Sequence, residues 1–438
     1  MPSTLGQGSD TREPSGAASS WVLVWVLTVI AMLNYAVRTS ITAVFPLLRT
    51  DLGFTDAGLG AIGSFFLWSY ALMSPLAGHL GDRFDRGRIV LWTLIGWSIV
   101  TAASGLVTTR WELLGMRVLL GLVESLFLPA AMALVAEYHP ARTIGTALGF
   151  LGVGQCIGVI GGATFQGFLA DHYGWRPSLW VLGFVGLLFA IPTYFIVPMK
   201  KRRAAEGNAE PLAHTPHPGL SFVEASLQLL RIPSFLILTA AGALTSIGVW
   251  IFLNWLPLYF KEAFAMSLAG AGFFGASFVN GSAAVGQVLG GMVSDRVARK
   301  GAEQRMLLQG ILIFAAAPTL LAFVGTRGLL VIVVALTLNS AFRTAADINM
   351  QPLLCDLAGN DKLSTAFGIT NMVNCLSGGL GIFVAGLLKS SRGLSVVFSG
   401  IVGILIIDAL MLICGYFLFL KRDLQKASTL AAATAPAL

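Results

Sequence analysis

Charge is what this chain has least of. Asp, Glu, Lys and Arg make up 11% of its 438 residues and hydrophobic residues 56%, whereas a soluble domain carries about 25% charged residues. So little charge cannot cover a water-facing surface, and a soluble globular protein is excluded. Cysteine is scarce as well. Cys156, Cys355, Cys375 and Cys414 all fall inside apolar runs, which rules out a disulfide framework or a thiolate metal site. None of the five histidines sits at the centre of an apolar run, so the usual proton carrier and metal ligand is missing from the interior. No nucleophile, nucleotide or metal motif occurs, which leaves catalysis, cofactor and metal binding without support. The excess of 28 basic over 21 acidic residues lies in short loops between apolar segments, a pattern of membrane topology and not of nucleic-acid binding.

What remains is apolar length. Runs at about 21–47, 57–80, 89–109, 113–136, 143–169, 178–198, 232–260, 267–293, 306–325, 329–354, 363–388 and 396–420 are each long enough to span a bilayer, which takes about 20 residues at 1.5 Å each. The longest polar stretch, 200–231, opens with Lys200, Lys201, Arg202 and Arg203. It divides the chain into halves, 21–199 and 232–420, with a disordered tail at 1–20 and a second tail at 421–438. The tails and the loops on their side hold 18 of the 28 Lys and Arg, which predicts that both termini are cytoplasmic; the expected location is the plasma membrane, the inner membrane of a bacterium. The expected class is an all-α membrane protein of twelve transmembrane helices.

The halves repeat. Gly78-His-Leu-Gly-Asp82-Arg83-Phe-Asp-Arg86 recurs 213 residues later as Gly291-Met-Val-Ser-Asp295-Arg296-Val-Ala-Arg299. Ala147-Leu-Gly149 with Gln155-Cys156 recurs as Ala366-Phe-Gly368 with Asn374-Cys375, offset by 219, and at that offset Glu124 falls on Arg343. Parallel repeats are one way to build a transporter, with the substrate held between the halves near midplane. Six charges lie inside apolar runs that should exclude them: Arg38, Arg117, Glu124, Arg343, Asp347 and Asp408. A charge at mid-bilayer costs roughly 2.5–3.5 kcal/mol even on a lenient scale, so each needs a partner or a water-filled cavity. Arg117 and Glu124 are two helical turns apart and share a face.

The loop Gly78-x-Leu80-x-Asp82-Arg83-x-x-Arg86-x-Arg88 resembles the signature of the major facilitator superfamily. Further stretches resemble its anion:cation symporter branch: Asn34-Tyr35-Ala36-Val37-Arg38, Ser64-Phe-Phe-Leu-Trp68-Ser-Tyr70-Ala71, Arg117-x-Leu119-x-Gly121-x-x-Glu124 followed by Pro129-Ala130, Gly174-Trp175-Arg176, and Trp255-Leu-Pro257-Leu-Tyr259. Val37 stands where the branch has an acid before the arginine. The resemblance implies two pseudo-symmetric six-helix halves rocking about a central cavity, and import of a small organic anion, a sugar acid or related carboxylate, by proton symport. Sodium coupling, export of an organic acid, and a spinster-like carrier of lysophospholipid or another amphiphile are the alternatives.

On this reading Glu124 and Asp347 carry the coupling proton. Arg38, a fixed fork suited to carboxylate, contacts the substrate with Tyr35, Tyr70, Trp68, Arg117, Gln155, Asn254, Asn280, Arg343 and Asn374. Gly78, Asp82, Arg83, Arg86, Asp295, Arg296 and Arg299 form the gate. Arg343 and Asp347, four apart on one helix, could instead neutralise each other. Asp408 is expected to be structural. The expected partners are the anion, protons and the bilayer, with no nucleic acid, and the protein is expected to be a monomer.

Overall fold

The computed structural model describes residues 17–139, 143–199, 222–325, 328–359 and 362–434, without the side chains at 17–19, 77–83, 222, 428 and 430–434. All regular structure among the described residues is helical. Ten helices of membrane-spanning length and composition come first: α1 (Ser20–Leu52), α2 (Asp56–Leu76), α3 (Arg86–Ser104), α4 (Arg110–Tyr138), α5 (Ile144–Tyr173), α6 (Trp175–Ile196), α7 (Pro233–Phe264), α8 (Leu268–Ala298), α9 (Gln304–Phe323) and α10 (Leu329–Ala358). An eleventh run, Leu363–Ala427, has 65 residues, which at 1.5 Å each is about 98 Å, three times the hydrocarbon thickness. Gly393 divides it, with φ 75° and ψ 164°, a conformation open to glycine and strained for other residues. We label the pieces α11 (363–392) and α12 (394–427). The expected twelve spans are present. The start of α1 and the end of α12 therefore lie at one end of the bundle, the terminus end, and the α1–α2, α5–α6, α7–α8 and α11–α12 turns at the other, the far end.

Helices within a half meet backbone to backbone. On α5, Gly154, Gly158 and Gly162 recur every four residues, and a Cβ added to them would lie 2.5 Å from Thr28 O, 2.2 Å from Met32 O and 2.5 Å from Ala36 Cα of α1. On α8, Gly286 and Gly290 make the same approach to Ala341 and Ala345 of α10. With no apolar drive between helices in lipid, close contact between small residues supplies the cohesion. The interleaved Gly149, Gly152 and Gly161 of α5 have no neighbour within 4 Å.

α1 tightens to a 3-10 segment over Ile41–Val44, and α4 and α10 are each broken by a short turn. α4 is helical over Arg110–Glu124 and again over Phe127–Tyr138, and α10 over Leu329–Asp347 and again over Met350–Ala358. Each break has a proline behind it, Pro129 and Pro352. A proline ring clashes with the carbonyl four residues earlier, here that of Ser125 and of Ile348. Glu124 and Asp347 are thus the last residues before each break.

The glycine ladder predicts that Gly158→Leu, which overpacks the α1–α5 contact, lowers stability by about 1–3 kcal/mol, while Gly152→Leu on the open face changes it little. Thermal unfolding of the purified protein in detergent distinguishes the two.

Candidate functional site

The first half builds its centre from three helices. Arg38 leaves α1 with its side chain 6% exposed and meets the fully buried carboxylate of Glu124 on α4. Its Nε and Nη2 both lie 3.1 Å from the same oxygen, Oε2. Nη2 also donates to Asn34 Oδ1, one turn back, at 3.4 Å. The rings of Tyr35, Phe66 and Tyr70 stand 4.6, 5.1 and 4.9 Å from the guanidinium carbon, near enough for their faces to stabilise the cation. Arg117, one helical face with Glu124, donates to the Arg38 carbonyl at 3.1 Å. Its own guanidinium lies 5.1 Å from Phe66, so that ring serves both arginines.

The cluster is incompletely bonded. Glu124 Oε1, Arg117 Nε and Asn34 Nδ2 are all buried without a well-formed hydrogen bond. Buried polar groups in native proteins are overwhelmingly paired, so this is spare bonding capacity in one place. Two guanidinium groups face one carboxylate, which leaves the site attractive to an anion. Between the halves it opens on a cavity of about 10 Å³, lined by Arg38, Thr39, Thr42, Gly63, Phe66 and Arg117 on one side and by Trp250, Leu253 and Asn254 of α7 on the other. That is room for about one water, so a larger guest requires the halves to move.

The other candidates are distributed as follows. Asn254 lies against Gly63, where an added Cβ would meet its Oδ1 at 2.4 Å, and its Nδ2 donates to Trp250 O. Gln155 is half-buried on α5, and Asn280 spends its amide on Ala276 O of its own helix. Asn374 accepts at its carbonyl from Ser246 at 2.6 Å, and its Oδ1 is buried without a hydrogen bond. Trp68 donates across the halves to Leu376 O at 3.2 Å. Arg343 bonds Asp347 at 2.9 Å within its own half; no bond joins it to Glu124 among the described residues. Of the terminus-end loop residues, Arg86 pairs with Glu137 at 3.4 Å and Asp295 with Arg305 at 3.6 Å, both within a half. Arg296 and Arg299 are exposed. The side chains of Gly78, Asp82 and Arg83 lie outside the described residues. Sequence reasoning passed over Phe66, Thr39, Thr42, Trp250 and Leu253. Signals for the first three were present, since Phe66 sits inside the aromatic stretch around Trp68, and Thr39 and Thr42 follow Arg38 by one and four positions.

Bonds between the halves gather toward the far end. Lys389 of α11 reaches Asp56 of α2 at 3.2 Å and Glu262 of α7 at 3.1 Å. Arg49 of α1 bonds Asp56 and reaches Glu262 at 3.4 Å. Asp171, at the end of α5, accepts from the Leu268 and Ala269 amides at 3.1 Å each, where the dipole of α8 favours a carboxylate. Nearer the middle, Ser64 donates to Gly379 O at 2.7 Å.

A family model described as Major Facilitator Superfamily matches residues 27–382 and 277–437. Among curated proteins the chain is 28% identical to a probable galactarate/D-glucarate transporter of Bacillus subtilis, over 66% of this chain and 68% of that one. It is 25% identical to a probable sulfoacetate transporter of Cupriavidus necator, over 81% and 85%. Among solved structures it resembles a bacterial homologue of the human lysosomal transporter Spinster in an inward-facing, unoccupied conformation, with a TM-score of 0.76 and 22% identity over 94% of this chain and 99% of that one. That likeness speaks for the fold alone.

Lys389→Ala removes the shared cation of the far-end cluster. The Lys389 side chain is 8% exposed and that of Asp56 17%, so the loss exceeds the ~1 kcal/mol of a surface pair, and the variant is expected to shift the balance toward far-end opening by about fivefold or more. Distances between spin labels placed at the far ends of α1 and α7 measure it.

Proposed function

The chain belongs to the Major Facilitator Superfamily, and we propose that it imports a small organic anion, a sugar acid or related carboxylate, by proton symport through alternating access. One observation carries this reading. A sealed Arg38–Glu124 pair lies beside a second arginine, with unused donors and an unused carboxylate oxygen in the same place, against a cavity that both halves line.

The chemistry follows from the exchange of partners. When Glu124 is ionised it occupies Arg38. When it takes a proton the guanidinium is released, and an incoming carboxylate can occupy the fork that Glu124 held. Proton and anion thereby enter together, because each removes the cost of the other. Arg117 adds charge without a carboxylate of its own. The substrate class draws on the names of the two curated relatives, which concern galactarate, glucarate and sulfoacetate. The halves that move are 21–199 and 232–420, joined by 200–231, and the lysine and arginine bias puts the terminus end in the cytoplasm. With far-end bonds closed, the structure is on this reading shut toward the far end. The gate residues Asp82 and Asp295 would hold the terminus end shut in the opposite form.

The test is uptake of labelled galactarate, glucarate and sulfoacetate into vesicles holding the purified protein. Glu124→Gln is expected to abolish accumulation driven by a proton gradient while one-for-one exchange across the membrane continues. Arg38→Lys keeps a charge but loses the fork, and is expected to weaken substrate binding roughly tenfold or more, the worth of a charged hydrogen bond of ~1.5–3 kcal/mol. Gradient-driven uptake that survives Glu124→Gln overturns the coupling role. A sodium gradient replacing the proton gradient would overturn the choice of ion.

A further inference from the structure

Away from the central site, the terminus end carries a short helix with three distinct sides. Phe222–Leu229 precedes α7, and its bonding runs on into Leu230, whose amide donates to Ser226 O at 2.9 Å. Ala225 and Leu229 are buried against the protein. Val223, Leu227 and Leu230, spaced i, i+4, i+7, are 62%, 53% and 46% exposed. Glu224, Gln228 and Arg231 repeat that spacing one position on and are exposed as well. Residues so spaced share one face of a helix, so one side meets protein, one is oily and one is polar.

Hydrogen bonds fix the level at which this helix lies. Ile232 N donates to Leu229 O and Phe235 N to Ile232 O, a tight turn that leads into α7 at Pro233, where that span enters the bilayer. Gln228 accepts from Lys362 Nζ, just ahead of α11, at 3.3 Å. Buried Asp423 of α12 accepts from the amide and hydroxyl of Ser234 at 3.0 and 2.7 Å, which brings the end of α12 against the start of α7. Arg231, Lys421, Arg422 and Lys426 are exposed around this junction. Among the described ion pairs, Arg422 has Asp423 at 3.5 Å, an acid already engaged by Ser234, and the other three have none. Glu224 is the exposed acid on the helix itself.

An oily stripe where spans enter lipid, with cations beside it, matches a bilayer surface. Helices of this kind lie in the interface with the apolar side about 5–10 Å into the headgroup boundary, and neighbouring Lys and Arg attract anionic lipid. A second copy of the chain is a poorer occupant, because three half-exposed aliphatic side chains fall far short of the ~800 Å² per partner that a stable interface buries.

We propose that Phe222–Leu229 and the cationic end of α12 form a docking surface for an anionic phospholipid leaflet at the terminus end. Val223, Leu227 and Leu230 insert below the headgroups, and Arg231, Lys421 and Lys426 meet lipid phosphates. The second half is thereby held at the interface both where its first span enters and where its last span leaves. This inference rests on the chain spanning a membrane and is independent of substrate and coupling ion.

Two measurements on the full chain in lipid nanodiscs test it. The first places a spin label at Val223→Cys, Leu227→Cys, Glu224→Cys or Gln228→Cys, with the four native cysteines replaced by alanine. Collisions with oxygen, which partitions into lipid, are compared with collisions with a water-soluble nickel complex. Labels at 223 and 227 are expected to favour oxygen and those at 224 and 228 nickel. Nickel access at 227 equal to that at 224 overturns the proposal, as does spin–spin broadening from a second copy on this face. The second measurement keeps the native cysteines, so it stands where the labelled chains fail to fold. It reads thermal unfolding in phosphatidylcholine discs with and without phosphatidylglycerol. A partner that binds the folded state raises its melting temperature, so the anionic lipid is expected to raise the midpoint and Lys421→Gln with Lys426→Gln to remove a large part of the rise. No rise, a rise that the double variant keeps in full, or one that inorganic phosphate reproduces in phosphatidylcholine discs overturns the proposal.

Discussion

Arg38 and Glu124 are charges held out of water, and the rest of the first half is arranged around that fact. Burying an ion costs several kcal/mol even after relaxation, and a well-made pair only about recovers it. Tyr35, Phe66 and Tyr70 offset part of the cost at the guanidinium, and Asn34 another part. A pair of apolar side chains would fill the same volume with as much stability, so the pair is not explained by holding α1 to α4. Losing either member is a different matter, because it strands a buried charge at about 3–5 kcal/mol. The pair is therefore stable while intact and receptive when one member is neutralised, and Arg117 biases that receptiveness toward negative charge.

Such a site needs stiff walls. The glycine contacts of α5 with α1 and of α8 with α10 bring backbones together, so helices within a half cannot slide without steric cost. Across the halves α5 and α8 also meet backbone to backbone at Gly167 and Gly272, but the halves are joined as well by bonds of another kind: side chains on carbonyls at Ser64 and Trp68, charges at Lys389, and a carboxylate on a helix end at Asp171. These break one at a time and re-form in water.

How much of this could be read in the sequence depends on how local each cause is. Twelve spans were legible because length and hydropathy are properties of a run. The glycine content of α5 marked it as a packing helix, but which glycines pack was not legible: Gly154, Gly158 and Gly162 meet α1 while Gly149, Gly152 and Gly161 do not; Gly393 falls in the short gap between the last two runs. That Arg38, Arg117 and Glu124 need partners was also legible, since charge in an apolar run is anomalous on its own. The partners were not. Arg38 and Glu124 are 86 residues apart and Lys389 and Asp56 are 333 apart, and Arg49, Asp56, Glu262 and Lys389 look like ordinary loop charges until two halves are folded together.

The internal repeat shows the same limit. Matching the two halves at 219 residues sets Glu124 against Arg343, as opposite charges at equal depth. The helix breaks give another register: Pro129 and Pro352 are 223 apart, and so are Glu124 and Asp347. The difference is four residues, one helical turn, and it comes from the first segment of α10 having 19 residues against 15 in α4. A sequence offset averages over such an insertion, but a proline acts on the carbonyl four residues before it wherever the helix begins. The structurally equivalent residues are two acids, each ending a helical segment beside an arginine. In the first half that arginine comes from another helix and seals the carboxylate. In the second it comes from the preceding turn, leaving the Asp347 side chain 39% exposed. A duplicated scaffold has thus placed an acid at the same break twice, once closed by a long-range partner and once open, and that difference in burial separates the chemistry available to the halves.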